Sequence, residues 1–240
     1  MTVSATRSNG VTTAVLPFRG ALVCDGLSII AEIKRRSPSR GRMLPAGAAP
    51  ETLARDYEAS GAACLSVLTD KALFGGSSED LRRARSAVSI PVLRKDFLST
   101  EQDIRESREM GADAVLLIMA DLGIETAASL HASAGALGLD AVVEVRTEQE
   151  LTSAASFGAD IIMVNQRDDP RAAGAAVALG RASRMAPVFD EVCCPEVVRV
   201  AASGIGIAGG TPIAAVADTG YDAALVGEAL SVTGPQMLEG

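Results

Sequence analysis

Two glutamates and two lysines stand inside, or at the end of, runs that are otherwise apolar. Glu32 and Lys34 lie in residues 28–34, Lys95 ends 91–95, and Glu144 sits in Ala-Val-Val-Glu-Val. A charge buried alone costs several kcal/mol, so groups placed this way must pair with one another or with a ligand. Lysine can donate a proton and glutamate can accept one, so a converging set suits acid–base work on a small molecule. Glu32 and Lys34 are two apart, which puts them on one face of a strand. Asn165 ends another such run, with Arg167 just beyond, and Ser203-Gly204-Ile205-Gly206 follows a further one. Backbone N–H groups of a glycine-rich turn suit an anion. A basic stretch from Lys34 to Arg42 follows the first run directly. Taken alone it reads as a solvated charge run. The competing reading of the lysine–glutamate set is a structural ion-pair network, with pairs such as Lys34–Glu32 or Lys95–Glu144.

These residues need a scaffold that brings run ends together. Eight short apolar runs read as strands buried on both faces: 28–34, 63–69, 91–95, 114–119, 141–145, 161–165, 197–202 and 223–227. Segments 51–60, 79–88, 100–110, 124–134 and 147–157 mix polar and apolar positions at helical spacing. Gly61-Ala62, Gly111-Ala112 and Gly158-Ala159 each follow such a segment and precede a strand, where glycine allows a left-handed helix stop. Repeated strand–helix pairs imply a parallel sheet, and eight of them predict a single-domain (β/α)8 TIM barrel over residues 28–240. Residues 1–27 read as a short lead-in, disordered over 1–9. Residues 170–186 read as helix plus loop. A doubly wound open sheet is the runner-up, but no Gly-x-Gly-x-x-Gly follows the first strand. In a barrel the active site lies at the C-terminal strand ends, where these polar residues fall, and loops after strands seven and eight often take phosphate. Val226-Gly227-Glu228 stands at the second of those loops.

Composition narrows the function. The chain has 240 residues, a formal charge of -8 and 48% hydrophobic residues. That excludes wholesale disorder, and no apolar run reaches the roughly 18 residues that span a bilayer. The acidic balance argues against nucleic-acid binding. It also gives weight to a local basic mouth, which must attract an anionic substrate against the global field. One histidine, His131, excludes multi-histidine metal sites and histidine triads, and reads as a surface or packing residue. Four cysteines do not make a disulfide scaffold, and the adjacent Cys193 and Cys194 suit neither a metal site nor an easy bridge. The expectation is a cytoplasmic protein, monomeric or weakly dimeric, acting on a small phosphorylated molecule, without membrane or nucleic-acid partners.

The motifs carry a resemblance. Ile30-Ala31-Glu32-Ile33-Lys34-Arg35-Arg36-Ser37-Pro38-Ser39 resembles the first-strand signature of the indole-3-glycerol phosphate synthases, (β/α)8 barrels of tryptophan biosynthesis. So do Ser66 to Asp70 with Phe74 to Ser77, Val92 to Phe97, Val143 to Val145, Asn165 to Asp168, Ser203 to Ile205 and Leu225 to Glu228, in the family's order. The resemblance implies a carboxy-lyase. It closes the ring of 1-(2-carboxyphenylamino)-1-deoxyribulose 5-phosphate, releases carbon dioxide and water, and uses no cofactor or metal. It implies that Lys95 protonates the ketone oxygen and that Glu144 handles the proton lost in dehydration. Lys34 would contact the substrate carboxylate or act in the later proton transfer, with Glu32 positioning it and Asn165 orienting the substrate. Ser37, Ser203, Gly204, Gly227 and Glu228 would lie at the phosphate or sugar end, with Arg167 close by. Phe74, Phe97 and Leu116 would hold the anthranilate ring.

The chain departs from the family pattern in places. Ala202 stands where the family has a glutamate before Ser-Gly-Ile, and Asp169 stands where it has a leucine. An anionic Asp169 is expected to repel an anionic substrate. The stretch before the first strand is also shorter than the family's. Two alternatives stay open: a repurposed phosphate-binding barrel with related sugar-phosphate isomerase chemistry, and a non-catalytic binding or partner protein.

Overall fold

Why the apolar runs become strands is visible in where their side chains go. A computed structural model describes residues 14–38, 40–44, 48–171, 177–178 and 180–238, so the expectation of disorder over 1–9 lies outside the described residues. The barrel strands are β1 (Ser28–Ile33), β4 (Cys64–Leu68), β5 (Val92–Lys95), β6 (Ala114–Ile118), β7 (Asp140–Val145), β8 (Ile161–Asn165), β9 (Val198–Ala202) and β10 (Ala223–Val226). A two-stranded hairpin, β2 (Arg36–Ser37) and β3 (Gly41–Arg42), follows β1. The eight pair in parallel and close in the order β1-β10-β9-β8-β7-β6-β5-β4. This is the expected (β/α)8 barrel, with strand bounds within one residue of the sequence reading.

Alternation along each strand divides the core in two. Inward positions such as Ile30, Cys64, Leu93, Leu116, Val142, Met163, Val200 and Leu225 fill the barrel. Outward ones such as Ala31, Leu65, Val67, Val143 and Ile162 pack under the helices. The helices are α1 (Phe18–Leu22), α2 (Pro50–Ala59), α3 (Ser78–Ala87), α4 (Glu101–Glu109), α5 (Met119–Ala136), α6 (Glu148–Ser156), α7 (Arg181–Val192), α8 (Ile213–Ala217) and α9 (Glu228–Thr233). The side chains of Ser77, Thr100 and Thr147 accept the backbone N–H three residues on and so start α3, α4 and α6. Gly61, Gly111 and Gly158 have the positive φ anticipated for helix stops.

Three features differ from the sequence reading. α5 begins five residues early, because a first turn joins the main helix across a kink at Gly123. α7 runs on to Val192 through Pro187, where the reading ended at 186. The lead-in also carries α1, whose Phe18 and Leu22 are fully buried among the inward strand residues and close the barrel floor. Carboxylates at the strand starts hold it there. Asp113 Oδ1 accepts the Leu16 N–H at 2.7 Å, and Asp140 Oδ2 accepts the Arg19 N–H at 2.8 Å. Burial pushes the Asp113 carboxyl up, against hydrogen bonds from Leu16 and Val92 and the Arg85 charge. No helix among the described residues is long and apolar enough to cross a membrane.

Phe18 has no exposed surface, so Phe18→Ala leaves a void in the floor. The expected loss of stability is about 3–5 kcal/mol, read by urea unfolding. An unchanged midpoint would show that α1 is not part of the core.

Candidate active site

The inward positions turn polar at the last residue or two of each strand. There a cavity of about 350 Å³ opens, within the range of small-molecule sites. All fourteen residues singled out from the sequence line it.

Its floor is Glu32, 4% exposed. Lys34 Nζ donates to Oε2, and Lys95 Nζ donates to Oε1 at 2.9 Å. Burial alone would push the Glu32 pKa up. The charges of both lysines and their hydrogen bonds overcome that and hold it at about 2. The sequence offered Lys95–Glu144 as a pair, and the register corrects that. β4 lies between β1 and β5, and Ser66 is the residue that stands beside Glu32. β6 lies between β5 and β7, and there Ile118 stands beside Glu144. Lys95 itself bonds to Glu32 across β4. Arg94 and Thr69 brace the neighbouring Asp96 and so fix the end of β5.

Glu144, 2% exposed, bonds instead to Arg146, whose Nη2 donates to Oε1 at 2.9 Å. The sequence reading missed Arg146. The signal was present, since it follows Glu144 at the same two-residue spacing that linked Glu32 to Lys34.

On the next strands, Asn165 Oδ1 accepts Ser203 Oγ–H at 2.7 Å and the Arg167 N–H at 2.9 Å. Ser203 takes a left-handed φ of 73°, alone among described non-glycine residues. It turns the chain into Gly204, and the buried Gln166, also missed, clamps this turn through the Ser203 carbonyl. Ala202, fully buried, is the register partner of Asn165 and Leu225, so a methyl group occupies this point of the inward ring.

Beyond β10, Glu228 binds Arg40 at 2.6 Å and Arg167 at 3.6 Å, so it holds two guanidinium groups at the mouth. Ser37 Oγ accepts the Arg40 N–H and shapes the same loop. Gly227 is there for space. A Cβ on it would lie 2.3 Å from Glu32 Oε2.

The opposite wall is aromatic. Phe74 and Phe97 stack with centroids 6.4 Å apart, and Leu116 lies behind them. Arg171 lies over the Phe97 ring at 4.8 Å and binds Asp169 and Asp121. Asp169 is therefore not the lone repelling anion expected. The Arg171 hydrogen bonds and charge hold its carboxyl at about 2, paired with a cation.

The sequence model of one protein family, described as indole-3-glycerol phosphate synthase, matches residues 11–236. The indole-3-glycerol phosphate synthase of Mycolicibacterium vanbaalenii is 44% identical over 221 residues, 92% of this chain and 78% of that protein. Indole-3-glycerol phosphate synthase 1 of Streptomyces coelicolor is 46% identical over 214 residues, 89% of this chain and 76% of that protein.

Two measurements test the floor. The folded pKa of Glu32 lies below its ordinary 4.5, so its ion pairs add stability that is complete above that pH and is lost as pH falls toward 2. The stability gap between the native protein and Glu32→Gln should narrow across that window; a constant gap would rule the coupling out. Gly227→Ala should push Glu32 off its lysines at a cost of about 1–3 kcal/mol in urea unfolding at pH 7. Native stability in that variant would refute the close approach.

Proposed function

We propose how this pocket divides the work of indole-3-glycerol phosphate synthesis, since the chain belongs to the indole-3-glycerol phosphate synthase family. It is a carboxy-lyase of tryptophan biosynthesis. It closes the ring of 1-(2-carboxyphenylamino)-1-deoxyribulose 5-phosphate with loss of carbon dioxide and water. The observation that carries the division of roles is the convergence of two ammonium groups on one buried carboxylate beside an aromatic wall.

The substrate's ring lies against Phe74, Phe97 and Leu116. Its phosphate lies at the far end, near Ser37, Ser203, Gly204, Gly227 and the guanidinium groups that Glu228 organises. That span sets the ketone over the floor. The ring carbon bearing the carboxylate bonds to the ketone carbon, and Lys95 gives its proton to the ketone oxygen. Carbon dioxide then leaves with its bonding pair returned to the ring, which restores aromaticity. The new hydroxyl departs as water while Glu144 takes the proton from the carbon beside nitrogen. Lys34 holds the carboxylate or supplies the later proton, and Glu32 keeps both lysines aimed at the substrate. Asn165, fixed by Ser203, orients the sugar hydroxyls. General acid–base steps of this kind supply roughly 10²–10⁴-fold each. Ala202 removes one carboxylate from the ring, which leaves Glu32 and Glu144 as the carboxylates at that level. The same reading holds the protein to be cytoplasmic, a monomer or weak homodimer, with all four cysteines as free thiols.

The test is turnover. Native protein incubated with the carboxyphenylamino-deoxyribulose phosphate should yield indole fluorescence against a low background, because the chain has no tryptophan. Lys95→Ala should lose about 10²–10⁴-fold while keeping its fold by circular dichroism. Equal turnover in the variant would remove Lys95 from the role. Product bound by native protein without turnover would favour the repurposed barrel.

A further inference from the structure

One guanidinium in the pocket has no part in the roles above. Arg146 directly follows β7, on the inward side, and its side chain is 12% exposed. Its backbone N–H donates to Glu150 Oε2 at 2.6 Å, which ties the start of α6 to the mouth. Its Nη2 donates to Glu144 Oε1, while its buried Nε has no hydrogen-bond partner. Nε and Nη2 share one edge of the planar guanidinium, the edge that can take both oxygens of a carboxylate. Glu144 uses only half of it. Its Oε2 takes no hydrogen bond from any described residue. An arginine that could chelate Glu144 is instead held at a single point, and that leaves one carboxylate oxygen open toward the cavity.

We infer that Arg146 is the positioning residue of the dehydration base: it holds Glu144 by Oε1 so that Oε2 faces the carbon that loses its proton. The inference rests on the assignment of Glu144 above. It has a chemical consequence. The two lysines stand on Glu32, away from this pair, so ring closure and carbon dioxide release do not need Arg146. Dehydration does. A displacement of about 1 Å in a reacting group costs on the order of 10²-fold. Loss of Arg146 should therefore uncouple the two products, and the ring-closed, decarboxylated, still hydroxylated intermediate should accumulate.

The experiment is single turnover with the carboxyphenylamino-deoxyribulose phosphate, following carbon dioxide release and indole formation separately. In the native protein the two should keep step. In Arg146→Gln, carbon dioxide release should stay near the native rate. Indole formation should fall about 10–100-fold, as for the loss of other supporting contacts, and KM should hold within about twofold. Arg146→Lys keeps a donor for Oε1 without the fork and should recover indole formation to within about tenfold. Indole formed at the native rate in Arg146→Gln would overturn the inference. So would equal slowing of both products with a raised KM, which would make Arg146 a substrate contact. If Arg146→Gln does not fold, Arg146→Lys decides: coupled products in that variant, slowed together, would overturn it. Absence of indole with the native protein would overturn the proposed function itself, and is seen separately.

Discussion

Glu32 cannot be buried alone. At the floor of the pocket its carboxylate has lost most of its water, and the penalty for an uncompensated charge there is several kcal/mol. Two lysines remove that penalty, one from the residue just past its own strand and one from β5. The rest of the mouth follows from this need. Lys95 must reach across β4 to meet Glu32, and it does so at 2.9 Å. β10 must end in a residue without a side chain, since any Cβ at 227 would strike the carboxylate. The Lys95 end of β5 must be rigid, and Arg94, Thr69 and Asp96 make it so. The ammonium groups are thereby fixed in the pocket before any ligand arrives, which is the condition for electrostatic work without reorganisation.

The two barrel ends use carboxylates in opposite ways. At the strand starts, Asp113 and Asp140 accept backbone N–H groups of the lead-in and hold α1 against the floor. Asp113 is satisfied at both oxygens, by the Leu16 and Val92 N–H groups and by Arg85. At the strand ends, Glu144 keeps one oxygen open and Glu228 binds two guanidinium groups that a phosphate could share. Satisfied polar groups serve stability, and partly satisfied ones can serve a ligand. That division matches the separation of stability and chemistry between the two faces of this fold.

The sequence disclosed the barrel because its strands are apolar on both faces, and few other folds produce eight such runs with helices between them. It pointed to the candidate residues because a charge in such a run must find a partner or a ligand. It could not disclose partners. Whether Lys95 meets Glu32 or Glu144 depends on how strands far apart in the chain are placed in the barrel, and the spacing along the chain does not carry that. Asp169 misled for a similar reason. It is paired with Arg171, and nothing in the sequence shows that Arg171 also reaches over Phe97 to Asp121. α1 was illegible because five residues carry too little periodicity to be read as a helix; only the contacts of Phe18 and Leu22 show its purpose. The bounds of α7 were obscured by Pro187 and by the glycine- and alanine-rich stretch before it.

The pairing pattern also explains how the mouth can work without a carboxylate at 202. A ring of acids and bases at close quarters tends to share protons, and shared protons blur roles. Here the groups fall into separate sets. Glu32 is committed to Lys34 and Lys95, and Glu144 to Arg146. An additional carboxylate at 202 would stand between Asn165 and Leu225, inside the barrel. A methyl group there adds no acceptor, which leaves Glu32 and Glu144 as the buried glutamates of the pocket.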